Sequence, residues 1–451
     1  MYKPFFSLTI ALLTVIASYS QPSTIEQQLD ELLAKQFKPT DPGCAILVAK
    51  QGNIIYNKAF GSANLELKVA MQPDMVFQVA SITKQFTAVA ILQLVEKGVL
   101  HLRDSLQKYI PGYPSKGYTI TIENLLTHTS GIRDYMQIST PNPNMERWDF
   151  APKQLIDSFK RYPLEFEPGT KFSYSNSGYY LLGYIIEKVS GKSYQQYIQD
   201  NLLTPLGLIH SYFDTDGIII PNRVNGYRKE GTTIKNADFW SPSIAYAAGG
   251  LLTNTTDLFA WFKGLLSYKI LRKETLDQAF TPYKLKNGAV ISYGYGWYIQ
   301  NLNSINSIEH GGKMTGFLSN EVYYPRQDVF IAGFYNCEQA PRNELSNSIA
   351  EIVLGQSLQN EVKINDSILD SYTGTYSLTT DPKRTIIISK VNDHLVAQIS
   401  GQKTFEMLFQ TSTKFQLKGI ADMTGEFISE TGKVIKFMAH QNGTFEWKKI
   451  K

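Results

Sequence analysis

The sequence predicts an α/β (α+β) fold: an antiparallel sheet flanked by helices, with an all-helical insertion, followed by a small C-terminal antiparallel β-barrel or sandwich. Three observations predict it. Apolar, strand-like runs occur near the start of the chain and again after residue 290. Helical periodicity with Gly- and Pro-rich loops fills the span between them, so the sheet must take strands from both ends of one unit. Beyond Gly355 the pattern changes to short strands separated by turns. At 451 residues the chain is also longer than one core usually organises.

Taken in order, residues 1–20 read as a secretory leader. Lys3 supplies the positive start, Phe5 to Ala17 is largely apolar, and Ser18 and Ser20 are small residues at the cleavage position. The apolar run is shorter than the roughly 20 residues a membrane span needs. A secreted or periplasmic protein with no stable span after cleavage is expected. A helix over Thr24 to Phe37 places Ile25, Leu29, Leu32 and Leu33 on one face. Cys44 to Ala49, a turn at Gln51-Gly52-Asn53 and Ile54 to Phe60 form a hairpin. Helical spacing starts at Ser81 and runs to Val99, and further helices follow to about Ile270. Strand signals return at Ser292–Gln300, Asn320–Tyr324 and Val329–Tyr335, and a last helix, Asn343 to Leu354, stops at Gly355. A sheet of about five to seven strands suits a unit of this size. The expected division is 21–355 for the main domain, 356–364 for a polar linker and 365–451 for the β-rich domain. Turns at Asn392-Asp393, Ser400-Gly401, Glu430-Thr431-Gly432 and Gln441-Asn442-Gly443 set the rhythm of that last domain.

Composition removes several function classes. The net charge of +4 is small and no basic run is present, so nucleic acid has no footprint here. There is no CxxC and no HExxH, and His101, His210, His394 and His440 lack ligand spacing, so neither metal nor cofactor is expected. Cys44 and Cys337 both lie in apolar stretches, where a disulfide and two buried thiols are equally compatible with the sequence.

Three segments carry chemistry. In Ser81-Ile82-Thr83-Lys84, three-residue spacing on a helix lets the two side chains meet. A serine hydroxyl needs a neighbour to take its proton, and a lysine can do so once desolvation or a nearby cation lowers its pKa. The helix N-terminus adds N–H groups for a developing oxyanion. In Tyr174-Ser175-Asn176, the phenol can relay protons beside a lysine that depresses its pKa, and the amide can both donate to a substrate and accept from Lys84. In His310-Gly311-Gly312-Lys313, paired glycines allow close backbone approach and an adjacent N–H can donate to an oxyanion. This segment precedes the strand near Asn320 or lies on a strand edge. Each motif alone also fits a bland reading: a capped helix start, a loop tyrosine, a glycine turn.

Their order and company resemble the class C serine β-lactamases with their penicillin-binding and esterase relatives, whose motifs include Ser-x-x-Lys and Lys-Thr-Gly. Phe77-Gln78-Val79-Ala80, Leu125 to Ile132, Ala248-Gly249-Gly250-Leu251 with Asp257, and Tyr293-Gly294-Tyr295-Gly296-Trp297 extend the likeness over about Ser23 to Gly355. The resemblance implies a β-lactamase/transpeptidase-like fold and a serine hydrolase without cofactor. Ser81 would be the acylating nucleophile, and Lys84 with Tyr174 the proton-transfer pair. Asn176, His310, Gly311, Gly312 and Lys313 would bind substrate, with the N–H groups of Ser81 and Lys313 as oxyanion hole. His128 and Trp297 would be scaffold and pocket wall. His310 stands where the family's β-lactamases carry the lysine that holds a substrate carboxylate, and Gly311 lacks the usual threonine hydroxyl. A small-molecule or peptide substrate, amide or ester, without a fixed carboxylate is therefore expected. The alternative is a penicillin-binding sensor that acylates without efficient turnover. The C-terminal domain could be structural, or contact a peptide or glycan.

Overall fold

The computed structural model describes residues 23–451 apart from 139–144, 215–217, 303–304, 357, 359–363, 401–403, 419–422 and 441–443. The leader read over residues 1–20, most of the 356–364 linker, and the turns at Gly401 and Gln441-Asn442-Gly443 lie outside the described residues.

Helix α1 (Ile25–Gln36) starts at a capping box in which Thr24 and Gln27 exchange side-chain and backbone bonds. Strands β1 (Cys44–Lys50) and β2 (Asn53–Phe60) form the N-terminal hairpin. Helix α2 (Thr83–Glu96) follows; its residues from Thr83 to Leu94 are all buried, so it is a central helix with no solvent face. Phe86 on it stacks on Trp261 with ring centroids 3.9 Å apart. The helical layer continues with α3 (Asn176–Ser190), α4 (Pro242–Gly249, broken at Tyr246) and α5 (Thr255–Leu266).

Strands β3 (Tyr298–Leu302), β4 (Ile305–Met314), β5 (Phe317–Tyr324) and β6 (Val329–Tyr335) return the chain to the sheet, and α6 (Arg342–Leu354) ends at Gly355 with a left-handed φ of 67°. The sheet has six antiparallel strands in the order β3-β4-β5-β6-β1-β2. One face packs on the helical layer through Ala45, Leu47, Ile308, Phe330 and Phe334. The other carries Ile46, Val48, Val322 and Ile331 against Leu29 and Leu33 of α1 and Leu345 and Ile349 of α6. With both faces covered, β1 reads as an unbroken apolar run rather than an alternating one.

One expectation is corrected and one is narrowed. The strand signal from Ser292 becomes a ladder strand only at Tyr298, because Gly296 turns the chain with φ 93°. The His310 motif, expected before the strand near Asn320 or on a strand edge, does both: it lies within β4 and leads into β5.

Helix α7 (Asp366–Tyr372) leads into the C-terminal unit, β7 (Gly374–Leu378) to β14 (Thr444–Lys449), a closed eight-stranded antiparallel barrel. First and last strands pair at Tyr376↔Lys449, which removes both edges. Tyr376, Phe415, Phe427, Phe437 and Trp447 belong to its core, and Tyr372 of α7 stacks on Phe427 at 3.9 Å. The two cysteines are free and buried. No helix among the described residues is long and apolar enough to cross a membrane.

Candidate active site

The chain reaches α2 through a short 3₁₀ turn, Ala80–Ile82. Ala80 holds a positive φ of 47°, a conformation that persists only where neighbours enforce it. Here they do: Val79 N–H donates to Leu251 O at 3.1 Å, and Thr83 Oγ1 accepts from Leu251 N–H at 3.0 Å while donating to Ala80 O at 2.6 Å. Leu251 belongs to the Ala248–Leu251 segment singled out in the sequence. This clamp fixes Ser81 at the head of α2, where N–H groups lack intrahelical acceptors.

Lys84, one helical turn on, is completely buried. Its Nζ donates to Ser81 Oγ at 3.0 Å, Asn176 Oδ1 at 2.8 Å and Ala248 O at 2.8 Å. It lies over the rings of Tyr174 and Tyr179, 4.8 Å and 5.6 Å from their centroids. Burial pulls its pKa down to about 7, against the opposing attraction of Asp134.

Tyr174 lies within reach of the Ser81 hydroxyl, and its ring stacks on His128 at 4.2 Å. Burial holds the phenol well above its usual pKa, with the Ser81 hydroxyl opposing, so the expected depression by Lys84 is not found. His128 has φ 56° and accepts at Nδ1 from Ser175 N–H at 3.0 Å. Burial keeps it neutral, which makes it a platform under Tyr174. Trp297 is fully buried edge-on to Phe280 at 5.0 Å, a core residue rather than a wall of the cleft.

The third segment enters along β4. Pairing with β3 ends at Tyr298↔Glu309, whereas pairing with β5 continues to Met314↔Phe317. From His310 on, β4 therefore has one ladder partner and an open edge. Gly312 is required there: a Cβ would lie 2.1 Å from Val79 O and 2.4 Å from Ser319 Oγ. Ser319 itself donates to Val79 O at 2.8 Å, tying the sheet to the residue two before Ser81. Gly311 is tight but less so, with Arg342 Nη1 3.1 Å from a built Cβ. His310 is buried, with Nε2 3.1 Å from Tyr293 Oη and Nδ1 2.7 Å from Gly311 O. Burial, helped by the Lys84 charge, drops its pKa to about 3, so the imidazole is neutral. Strand alternation sends the exposed Lys313 side chain to the opposite face from His310.

The structure thus gathers Ser81, Lys84, Tyr174, Asn176 and the His310–Lys313 strand around one cleft. Sequence reasoning missed two participants. Ala248 contributes a backbone carbonyl, for which no side-chain signal exists. Asp134 is buried and its Oδ2 accepts from Asn176 Nδ2 at 3.0 Å. Its sequence signal was only an aspartate three residues beyond Gly131, of the kind that begins many helical turns.

Known proteins with similar sequences and folds support the same frame. Penicillin-binding protein 4* of Bacillus subtilis (strain 168) is 28% identical over 431 residues, covering 89% of this chain and 93% of that protein. Protein flp of Staphylococcus aureus (strain MW2) is 30% identical over 378 residues, covering 80% of this chain and 73% of that protein. Among solved structures, the octameric penicillin-binding protein homologue from Pyrococcus abyssi superposes with a TM-score of 0.66 at 25% identity, over 93% of this chain and 99% of that one. A D-stereospecific amidohydrolase from Streptomyces sp. gives 0.62 at 26% identity, over 72% and 97%. The nucleophile helix, the Tyr174 turn and the His310 strand all lie within residues 25–354, which match the family described as Beta-lactamase, and on that match the chain belongs to the beta-lactamase family of serine hydrolases.

Proposed function

We propose that the protein hydrolyses amide, ester or peptide bonds of a small-molecule or peptide substrate through an acyl-enzyme on Ser81. One observation carries this: the Lys84 amine lies 3.0 Å from Ser81 Oγ with a pKa brought to about 7. A neutral amine has two N–H bonds and one lone pair. With Asn176 Oδ1 and Ala248 O taking the N–H bonds, the lone pair faces the Ser81 hydroxyl.

Lys84 accepts the Ser81 proton as Oγ attacks the carbonyl carbon. The N–H groups of Ser81 and Lys313 receive the oxyanion. Tyr174, a neutral phenol beside Ser81, passes a proton to the leaving amine or alkoxide and regains it from Lys84. Water then attacks the acyl-enzyme, giving its proton to the same pair, and Ser81 is restored. One N–H of Asn176 is held by Asp134, leaving the other for a substrate carbonyl.

Neutral His310 offers no cation for a substrate carboxylate, which supports esters, amides and D-amino-acid peptides over penicillins. The similarity to a D-stereospecific amidohydrolase supports the same substrate class. We further propose a main domain of 21–355, a linker of 356–364 and a structural C-terminal domain of 365–451. The aromatic barrel core supports that structural role over contact with a peptide or glycan. Delivery outside the cytoplasm by a leader at 1–20 completes the reading.

The test is turnover of p-nitrophenyl butyrate and a panel of D-amino-acid amides and β-lactams by wild type and Ser81→Ala. Loss of turnover with retained fold supports the assignment, and a fully active variant refutes it. A lasting adduct with a reporter-tagged penicillin, without release, would instead indicate a sensor.

A further inference from the structure

Asn176 faces Lys84 with its carbonyl, yet an asparagine amide has nearly the same shape turned over, and reversed it would present two N–H donors to an amine. What decides its orientation is the partner at its other end. Asp134 Oδ2 accepts from Asn176 Nδ2 at 3.0 Å, and Asn176 Oδ1 accepts from Lys84 Nζ at 2.8 Å. Asp134 is itself fixed. Its Oδ1 accepts from Met136 N–H at 3.2 Å, starting the 3₁₀ turn Tyr135–Gln137. Tyr135 N–H donates to Ser177 Oγ at 2.9 Å, and Ser177 Oγ donates to Arg133 O at 2.8 Å, so the loop is stapled to the first turn of α3. The Tyr135 hydroxyl donates to Ile244 O on α4.

We propose that Asp134 is a positioning residue for the nucleophile's base: its carboxylate fixes the Asn176 amide and, through it, places a negative charge against Lys84. The inference rests on the proposed role of Lys84. The ionisable groups facing Lys84 come from every element packed on it: Tyr174 and His128 from the loops, Tyr179 from α3, His310 from β4, and Asp134. Burial holds both histidines and both phenols uncharged. Asp134 is the one group among them that supplies charge: burial raises its pKa, but the Met136 N–H, the Lys84 cation and the Asn176 bonds oppose that, and its carboxylate favours the protonated amine. Asp134 therefore sets how far toward acid pH the base stays available, while desolvation sets how far it can fall.

Two substitutions separate charge from orientation. Asp134→Asn keeps an oxygen acceptor for Asn176 Nδ2 and removes the charge. Asp134→Ala removes both. Lysine side chains labelled with ¹³C at Cε report the Lys84 titration directly, with its resonance assigned through Lys84→Met, so the readout does not depend on any substrate. In Asp134→Asn the Lys84 midpoint is expected to fall by about one pH unit, the size of a single charge effect at close range. The acid limb of kcat/KM for p-nitrophenyl butyrate should move with it while KM stays put. In Asp134→Ala the midpoint falls similarly and KM rises about tenfold as the amide turns freely. A Lys84 midpoint in Asp134→Asn that overlays wild type overturns the proposal, as does an Asp134→Ala variant with unchanged KM. If the Asp134 results hold but Ser81→Ala retains turnover, the functional reading has failed and the positioning role has not.

Discussion

Glu321 offers a stability experiment whose size follows from its surroundings. It sits on β5 directly across from His310, and is 1% exposed. One carboxyl oxygen accepts from Gln85 Nε2, the residue after Lys84, and Trp261 Nε1 donates to Gln85 Oε1 at 3.2 Å. Burial raises the Glu321 pKa from the ordinary 4.5 to about 8, with the Gln85 bond opposing. The sign follows. Below pH 4.5 folded and unfolded chains both carry the proton, so the group is neutral to stability. Between 4.5 and about 8 the unfolded chain has lost it and the folded chain keeps it, so stability falls as pH rises. Above about 8 both are ionised and the penalty is complete. At about 1.36 kcal/mol per pH unit that gap amounts to roughly 5 kcal/mol. Glu321→Gln keeps an acceptor for Gln85 and removes the titration. Urea unfolding of both proteins at pH 5, 6, 7, 8 and 9, followed by tryptophan emission, should show the variant gaining stability relative to wild type with every step from pH 5 to 8 and levelling off by pH 9. The gain should reach several kcal/mol at pH 9. A difference that stays flat with pH would show that Glu321 ionises normally, and the reasoning from burial would be wrong.

Three further outcomes follow from the cleft. Because burial lowers Lys84 to about 7, kcat/KM should rise through that pH with unit slope and level off above it; a profile flat from pH 5 to 9 would exclude Lys84 as base. Gly312→Ala places a methyl 2.1 Å from Val79 O, so the sheet must withdraw from the nucleophile turn. A stability loss of about 2 kcal/mol or more in urea unfolding, with most turnover gone, is expected. His310→Lys supplies the missing cation, and should raise cephalosporin hydrolysis relative to p-nitrophenyl ester hydrolysis. An unchanged ratio would mean that carboxylate recognition lies elsewhere.

The large features were legible because each has a local cause. Thr24 and Gln27 start α1, Gly355 ends α6, and the Gln51-Gly52-Asn53 turn closes the first hairpin. Ser81 and Lys84 are a local pair, so helical spacing alone brings them together. The partners of Lys84 are not local. Asn176 and Ala248 reach it across 92 and 164 positions, and the Ala248 carbonyl belongs to a residue type with no chemistry of its own. Asp134 was hidden because an aspartate opening a turn looks the same whether or not its other oxygen binds an amide. The electrostatics were least legible. A lysine beside a phenol suggested a depressed phenol, but solvent exclusion, a property of the assembled cleft, acts on both groups and wins at Tyr174.

The sheet's mixed origin has a consequence for how the protein is made. β1 pairs with β6, and Gly43 N–H donates to Asn336 Oδ1 from 293 positions away. At a synthesis rate of about 5–20 residues per second, the first hairpin waits roughly a quarter of a minute to a minute before its neighbour strand exists. Throughout that interval a six-residue apolar ribbon, Cys44 to Ala49, is without the strand that covers its edge, and contacts so distant along the chain form slowly even afterwards. A nascent chain stalled before Val329 would leave β1 available to pair with any other extended segment, so shielding by a holding factor during synthesis matters more for this architecture than for one whose strands are neighbours in order of birth.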